Sequence, residues 1–119
     1  MTTKQTPPAW VQELVLEACI AFGKEDPPGI TWLRSKYWHG GTAYAAENRL
    51  IVRTSGKPVS FWIPSRTKMI GYARKTVSAR TLEKLTVLHE LAHVMLPARE
   101  HHSAAFWDRA WELYRWAKL

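Results

Sequence analysis

Cysteine is almost missing from this chain of 119 residues, because Cys19 is the only one. A single cysteine cannot close a disulfide within the chain and cannot supply the thiolates of a zinc ribbon, so both kinds of scaffold are excluded. A lone thiol is typical of a protein from a reducing compartment. The cysteine content therefore favours a cytoplasmic protein over a disulfide-bonded secreted one.

Long apolar runs are missing as well. No stretch of the sequence reaches the ~18 consecutive apolar residues that a membrane span needs. Three polar residues, Gln12, Glu13 and Glu17, interrupt the only early apolar stretch, so a secretory signal is not predicted. We expect a cytoplasmic location and no membrane partner.

The overall composition is that of a folded domain. Hydrophobic residues make up 46% of the chain and charged residues 23%, which is typical of globular proteins and argues against disorder. The length predicts a single domain over residues 1–119. Within it, residues 1–8 form a polar segment that we expect to be a flexible tail.

The net charge of +7 is concentrated in the middle of the sequence. Residues 1–33 carry two lysines against four acidic residues, and residues 85–119 carry four charges of each sign. Residues 34–84 carry eleven Lys and Arg residues against two Glu residues. This basic region indicates a polyanionic partner such as nucleic acid, with an ordinary solvated basic surface as the alternative.

The apolar spacing predicts three helices, over residues 10–22, 78–95 and 103–119. The region between the first two favours strands over residues 31–38, 42–46, 49–53 and 59–63, with a turn at Gly40-Gly41. Residues 64–77 are predicted to be a loop with room for one short strand. We therefore expect an α+β fold in which an N-terminal helix, a small antiparallel sheet, a central helix and a closing C-terminal helix follow one another.

The central helix contains the run His89-Glu90-Leu91-Ala92-His93. Residues i and i+4 of a helix share one face, so both imidazoles can bind a single Zn²⁺ ion. Glu90 stands beside the first ligand and can act as the general base that takes a proton from water. The alternative is a surface helix on which these side chains cluster by chance. The motif favours a metal-dependent hydrolase.

A catalytic zinc ion needs a third protein ligand and one open position. The helix ends at Pro97, after which the chain can fold back, so His102 at the start of the last helix is the preferred third ligand. His101 and Glu100 remain as alternatives. His39 stands beside the two glycines and is expected to be a turn residue instead.

Together with the motif, the segment His102-Ser-Ala-Ala-Phe106 resembles the SprT-like zinc metallopeptidases. In that family, a His-Gly-Pro-x-Phe element follows the HExxH motif, and its histidine is the third zinc ligand. Alignment on Phe106 selects His102 for this role. The glycine of the family element is replaced here by Ser103, and the zinc ribbon that many members carry is absent.

The residues before the motif agree with the same resemblance. Gly40-Gly41-Thr-Ala-Tyr-Ala-Ala, followed by Asn48-Arg-Leu-Ile-Val, is similar to the short β hairpin that precedes the motif helix in the family. Small phage and actinobacterial proteins of this metallopeptidase type have about this length. The resemblance implies a minimal zincin fold, a protein or peptide substrate that is associated with DNA, and a DNA contact through residues 34–84.

Several assignments stay open. Two other functions fit the sequence: a metal-dependent ribonuclease of the YbeY type, which also uses three histidines, and a nucleic-acid-binding module with a structural zinc. Peptide substrates commonly lie along an edge strand, which we expect between residues 42 and 53. The residue that stabilises the oxyanion is not identified among the tyrosines, which are Tyr37, Tyr44, Tyr72 and Tyr114. Imidazole ligands also accept Mn²⁺ and Co²⁺, so the metal is open too.

Overall fold

Three helices and six strands form the part of the chain that the computed structural model describes, which comprises residues 2–36, 40–57, 59–64, 72–97 and 101–119. The strands are β1 (Thr2–Gln5), β2 (Gly29–Ser35), β3 (Gly40–Tyr44), β4 (Arg49–Thr54), β5 (Val59–Pro64) and β6 (Tyr72–Val77). The helices are α1 (Ala9–Phe22), α2 (Ala79–Val94) and α3 (Ala104–Trp116). The predicted α+β class is confirmed.

The first four strands form one sheet in the order β1-β2-β4-β3. β1 is antiparallel to β2 and β3 is antiparallel to β4, whereas β2 and β4 run parallel, with Trp32 opposite Val52. The expectation of a purely antiparallel sheet is therefore wrong. After β2 the chain forms β3 at the far edge and turns back, so that β4 enters between them in the same direction as β2.

The N-terminal segment is also better ordered than its polar sequence indicated. We expected residues 1–8 to form a flexible tail, but Thr2–Gln5 pairs with β2 as β1, with Thr2 opposite Ser35. The pairing joins backbone N–H and C=O groups, which all residues carry apart from the missing N–H of proline. A polar segment can therefore join a sheet edge without any hydrophobic pattern to reveal it.

The turn predicted at Gly40-Gly41, between the strands of residues 31–38 and 42–46, is wrong, because both glycines belong to β3. The chain reverses between β3 and β4 at a short 3-10 helix, Ala45–Glu47, followed by Asn48 with a left-handed φ of 50°. Asn48 donates hydrogen bonds from its side-chain amide to the carbonyl oxygens of Asp26, at 2.9 Å, and Pro27. These bonds tie the hairpin turn to the segment that leads into β2.

A second, two-stranded sheet follows β4. β5 and β6 pair in antiparallel register from Val59 opposite Val77 to Pro64 opposite Tyr72. The strand predicted over residues 59–63 is confirmed. In the predicted loop of residues 64–77, the short strand is β6, while residues 65–71 lie outside the described part of the chain.

The three predicted helices are confirmed, with ends close to those expected. Gly23 ends α1 with a left-handed φ of 75°, a conformation that glycine adopts without steric cost. Ser78 and Ser103 are the N-caps of α2 and α3, and each accepts a hydrogen bond in its hydroxyl from the backbone N–H three residues later. Such caps satisfy backbone donors that lack a partner within the helix.

The hydrophobic core lies between the sheet and the helices. Along β4 the residues alternate in burial, so that Leu50, Val52 and Thr54 face the helices. α2 packs against β3, β4, α1 and α3, and its Leu88 and Leu91 are fully buried. Because α2 contacts two strands and both other helices, its orientation is fixed by packing, and the motif residues are fixed with it.

None of the helices in the described part of the chain combines the length and the hydrophobicity of a membrane-spanning segment.

Candidate metal centre

Three histidines from two helices converge at one point. His89 and His93 lie one turn apart on α2, and their ring centroids are 5.1 Å apart. His102 directly precedes Ser103, the N-cap of α3, and so faces α2 across the connection. The Nε2 atom of His102 lies 3.2 Å from Nε2 of His89 and 3.3 Å from Nε2 of His93.

These spacings fit a metal site. One ligand atom from each of the three histidines lies within 4.8 Å of the others. A tetrahedral zinc ion with Zn–N bonds of about 2.0–2.1 Å separates its ligand nitrogens by about 3.3–3.4 Å. Hydrogen bonds between the rings explain the cluster less well than a metal ion does. A ring nitrogen of a neutral histidine is either a donor or an acceptor, whereas Nε2 of His102 lies close to Nε2 of both His89 and His93.

Aromatic side chains at the start of α3 support the imidazoles. The ring of Phe106 stacks on that of His93, with centroids 4.1 Å apart and an interplanar angle of 22°. The indole of Trp107 stacks on His102 at 5.6 Å and 23°. Both aromatic side chains are buried, so they limit the rotation of the two rings they touch. Phe106 was expected to be buried on the last helix and served to align His102, but no sequence pattern indicated that Trp107 contacts His102.

The electrostatics of the cluster keep the histidines neutral. Burial lowers the pKa of His89 to about 3, together with the repulsion that a protonated His89 would meet from protonated His93 and His102. Burial and the neighbouring histidines lower the pKa of His93 to about 4, and the pKa of His102 is lowered for the same reasons. A neutral imidazole has the free lone pair that a metal requires.

Glu90 stands next to the cluster without belonging to it. Its carboxylate Oε2 lies 4.0 Å from Nε2 of His89, and the side chain is buried. Burial raises the pKa of Glu90 to about 7. A carboxyl group that titrates near neutrality can accept a proton and return it during one reaction cycle.

The cluster opens into a cavity of about 350 Å³ between β3 and the two helices. One wall consists of small residues from β3 and the following turn, and the other carries the histidines and Glu90. The lining residues are Gly41, Thr42, Ala43, Ala45, His89, Glu90, His93, Pro97, His101 and His102. β3 is the last strand of its sheet, within the predicted range of 42–53 for an edge strand, although it begins at Gly40.

The alternatives to His102 are placed differently. His101 is exposed and lines the cavity, but it is not part of the group whose ligand atoms converge. His39, Glu100 and Tyr37 lie outside the described residues. The structure therefore brings together the three histidines that the sequence analysis preferred.

The tyrosines proposed for the oxyanion are not placed at the cluster. Tyr44 is exposed on β3, where the guanidinium of Arg49 lies 4.4 Å from its ring centroid. Tyr114 is buried and contacts the ring of Trp111 on α3. Tyr37 and the side chain of Tyr72 lie outside what the structure describes. No described tyrosine lines the cavity.

The basic region of residues 34–84 is spread over several elements. The guanidinium of Arg80 lies 4.3 Å from the ring centroid of Trp10, and Arg34 packs against Gly56. On β4, Arg49 and Arg53 alternate with buried residues and so project from the face of the sheet opposite α2. The side chains of residues 59–77 are not among those described.

Comparisons with known proteins identify no family for this chain. A scan against protein-family models and searches of curated proteins and of solved structures found no match to this chain. The resemblance to SprT-like metallopeptidases accordingly stays a hypothesis from the motif residues.

Proposed function

We propose that this chain is a zinc-dependent metallopeptidase. The observation that supports the proposal is the convergence of the Nε2 atoms of His89, His93 and His102 beside a buried carboxyl group, Glu90, that does not join them. Three imidazoles leave one position of a tetrahedral ion open, which is typical of catalytic rather than structural zinc sites.

Each residue has a separate task in this proposal. The three histidines hold the ion, and when bound it would lower the pKa of a water molecule in the cavity toward neutrality and polarise the substrate carbonyl. Glu90 accepts the proton of the attacking water and then donates it to the leaving amine of the cleaved peptide bond. The stacked rings of Phe106 and Trp107 keep the imidazoles in their orientation.

The substrate in this proposal is an extended peptide that adds to β3. This strand is the edge of its sheet and lines the cavity, so a peptide paired with its backbone would pass directly over the histidines. The side chains on this wall are small, as at Ala43 and Ala45, which leaves room for the substrate. Backbone pairing would supply affinity without strong dependence on the peptide sequence.

A nucleic-acid contact is a second part of the proposal, and its support is the placement of Arg49 and Arg53 on the sheet face opposite α2. Such a surface would hold a substrate that is associated with DNA. Each lost phosphate contact reduces the salt dependence of binding by about one unit of slope. Arg49→Gln together with Arg53→Gln should therefore weaken binding to single-stranded DNA and lower that slope, measured by fluorescence anisotropy at several salt concentrations.

The central test compares substrates on one protein preparation. The purified chain, loaded with zinc, is incubated with casein and with structured RNA, before and after removal of metal by a chelator. Cleavage of casein that stops on chelation and returns with zinc supports the metallopeptidase. Cleavage of RNA alone would replace it with the ribonuclease alternative, and zinc binding without turnover of either polymer would favour a structural site.

A further inference from the structure

The side chain of Glu90 lies against Gly41 of β3, a residue without a side chain. Gly41 pairs with Val52, whose side chain is buried on the helix side of the sheet, so position 41 faces α2 as well. A Cβ atom built on Gly41 would lie 2.7 Å from Cγ, 2.8 Å from Oε2 and 3.0 Å from Cδ of Glu90. Carbon atoms do not approach this closely without contact repulsion, so any other residue would push against Glu90.

The requirement for glycine here is one of space. The glycines with left-handed backbone in the described chain are Gly23 and Gly56, and Gly41 is not among them. An alanine could therefore adopt the backbone conformation of β3 at this position. Its methyl group, however, would take up space that the side chain of Glu90 now occupies.

We propose that Gly41 is a positioning residue for Glu90. The bare backbone of β3 forms the wall against which the Glu90 side chain lies, and this wall keeps the carboxylate near His89, at 4.0 Å from its Nε2, and shields it from water. The inference rests on the proposed function in one respect, which is that Glu90 acts as the general base.

The identity of the clashing atoms predicts how the protein responds to a methyl group at this position. All three close atoms belong to the outer part of the Glu90 side chain, and none belongs to the backbone of α2. Rotation of that side chain therefore relieves the clash at lower cost than separation of β3 from α2. A displacement of about 1 Å at a reacting group can reduce the rate about 100-fold.

The kinetic test compares two identical substitutions in the same sheet. Gly41→Ala should lower kcat on a peptide substrate by about 10- to 100-fold, with KM and zinc content unchanged. Gly29→Ala is the matched control, because a Cβ atom on Gly29 of β2 meets nothing within 4 Å, and it should leave kcat unchanged. Equal kcat values for the two variants would overturn the proposal while leaving the proposed function intact.

A second test uses the stability of the metal-free protein and needs no activity. Gly41→Ala should lower the midpoint of thermal unfolding, whereas the same change on a Glu90→Ala background should not, because the clashing atoms are gone. Gly29→Ala should have the same effect on both backgrounds. If Gly41→Ala does not fold, recovery of folding in the double variant supports the proposal.

The two tests separate the two claims. A wild-type protein that cleaves no peptide would refute the proposed function, and the stability comparison would still decide whether Gly41 makes room for Glu90. An equal loss of stability from Gly41→Ala with and without the Glu90 side chain, or a double variant that does not fold, would overturn the positioning role.

Discussion

The Nε2 atoms of His89 and His102 lie 3.2 Å apart, although the two histidines are thirteen positions apart in the sequence. α2 supplies one of them, the start of α3 the other, and Phe106 on α3 contacts both rings at centroid distances of 4.9 and 5.0 Å. The site therefore depends on the packing of α3 against α2 as much as on the motif within α2.

Alanine substitution of His102, compared with that of its neighbour His101, tests whether His102 is the third ligand. His102→Ala removes one of three nitrogens and should reduce zinc affinity by more than about 100-fold, since even the loss of an outer contact costs about 10- to 100-fold. His101→Ala is the matched control and should retain about one zinc ion per chain. Elemental analysis of protein purified without chelator measures both, and the opposite pattern would transfer the ligand role to His101.

The role of Glu90 is separated from metal binding by an isosteric change. Glu90→Gln keeps the shape of the side chain and removes its ability to accept a proton. We expect unchanged zinc content and a fall in kcat of about 10²- to 10⁴-fold. Measurement of kcat and zinc content on the same sample checks both statements, and a loss of zinc would show that Glu90 is a ligand.

Ring stacking should contribute to metal affinity. Phe106→Leu removes the ring that stacks on His93 and should weaken zinc binding by about 10-fold, because the imidazole gains rotational freedom. Leu113→Ala is the control, since Leu113 is fully buried on the same helix. It should cost about 2–5 kcal/mol of stability while zinc affinity, measured by competition with a chromogenic chelator, stays unchanged.

The stability of the metal-free chain should fall on acidification. The folded pKa values of His89 and His93, about 3 and about 4, lie below the ordinary histidine pKa of 6.5, so between these values and 6.5 the unfolded state binds more protons. Stability that is present above pH 6.5 is therefore lost as the pH falls toward 4. Urea unfolding at a series of pH values measures this loss.

Glu90 should have the opposite effect from the histidines on how stability depends on pH. Its folded pKa of about 7 lies above the ordinary value of 4.5, so the folded state binds the extra proton between these values and its contribution to stability rises as the pH falls. Glu90→Gln removes this contribution and should make the acid loss steeper. A pH dependence that is flat in both proteins would contradict the pKa shifts of the whole cluster.

Sequence patterns did not predict the pairing of β1 with β2 or the position of Gly41 beside Glu90. Thr2–Gln5 pairs with β2 through backbone groups, and its polar side chains gave no signal of a strand. Gly40 and Gly41 were predicted to form a turn because glycine is common in turns, yet Gly41 is part of a strand that approaches Glu90. Both contacts join segments that are distant in the chain, and local patterns carry no information about them.

Sequence patterns were enough to predict the three helices, the serine caps of α2 and α3, and the presence of His89, Glu90 and His93 on one helix. Helical periodicity and capping act between residues only a few positions apart, so local patterns reveal them. The packing of the folded chain was needed to select His102 among the candidate ligands, to place β4 between β2 and β3, and to bring Gly41 beside Glu90. These relationships depend on how α2, α3 and the sheet pack together, and packing is set by the shapes of side chains that are far apart in the sequence.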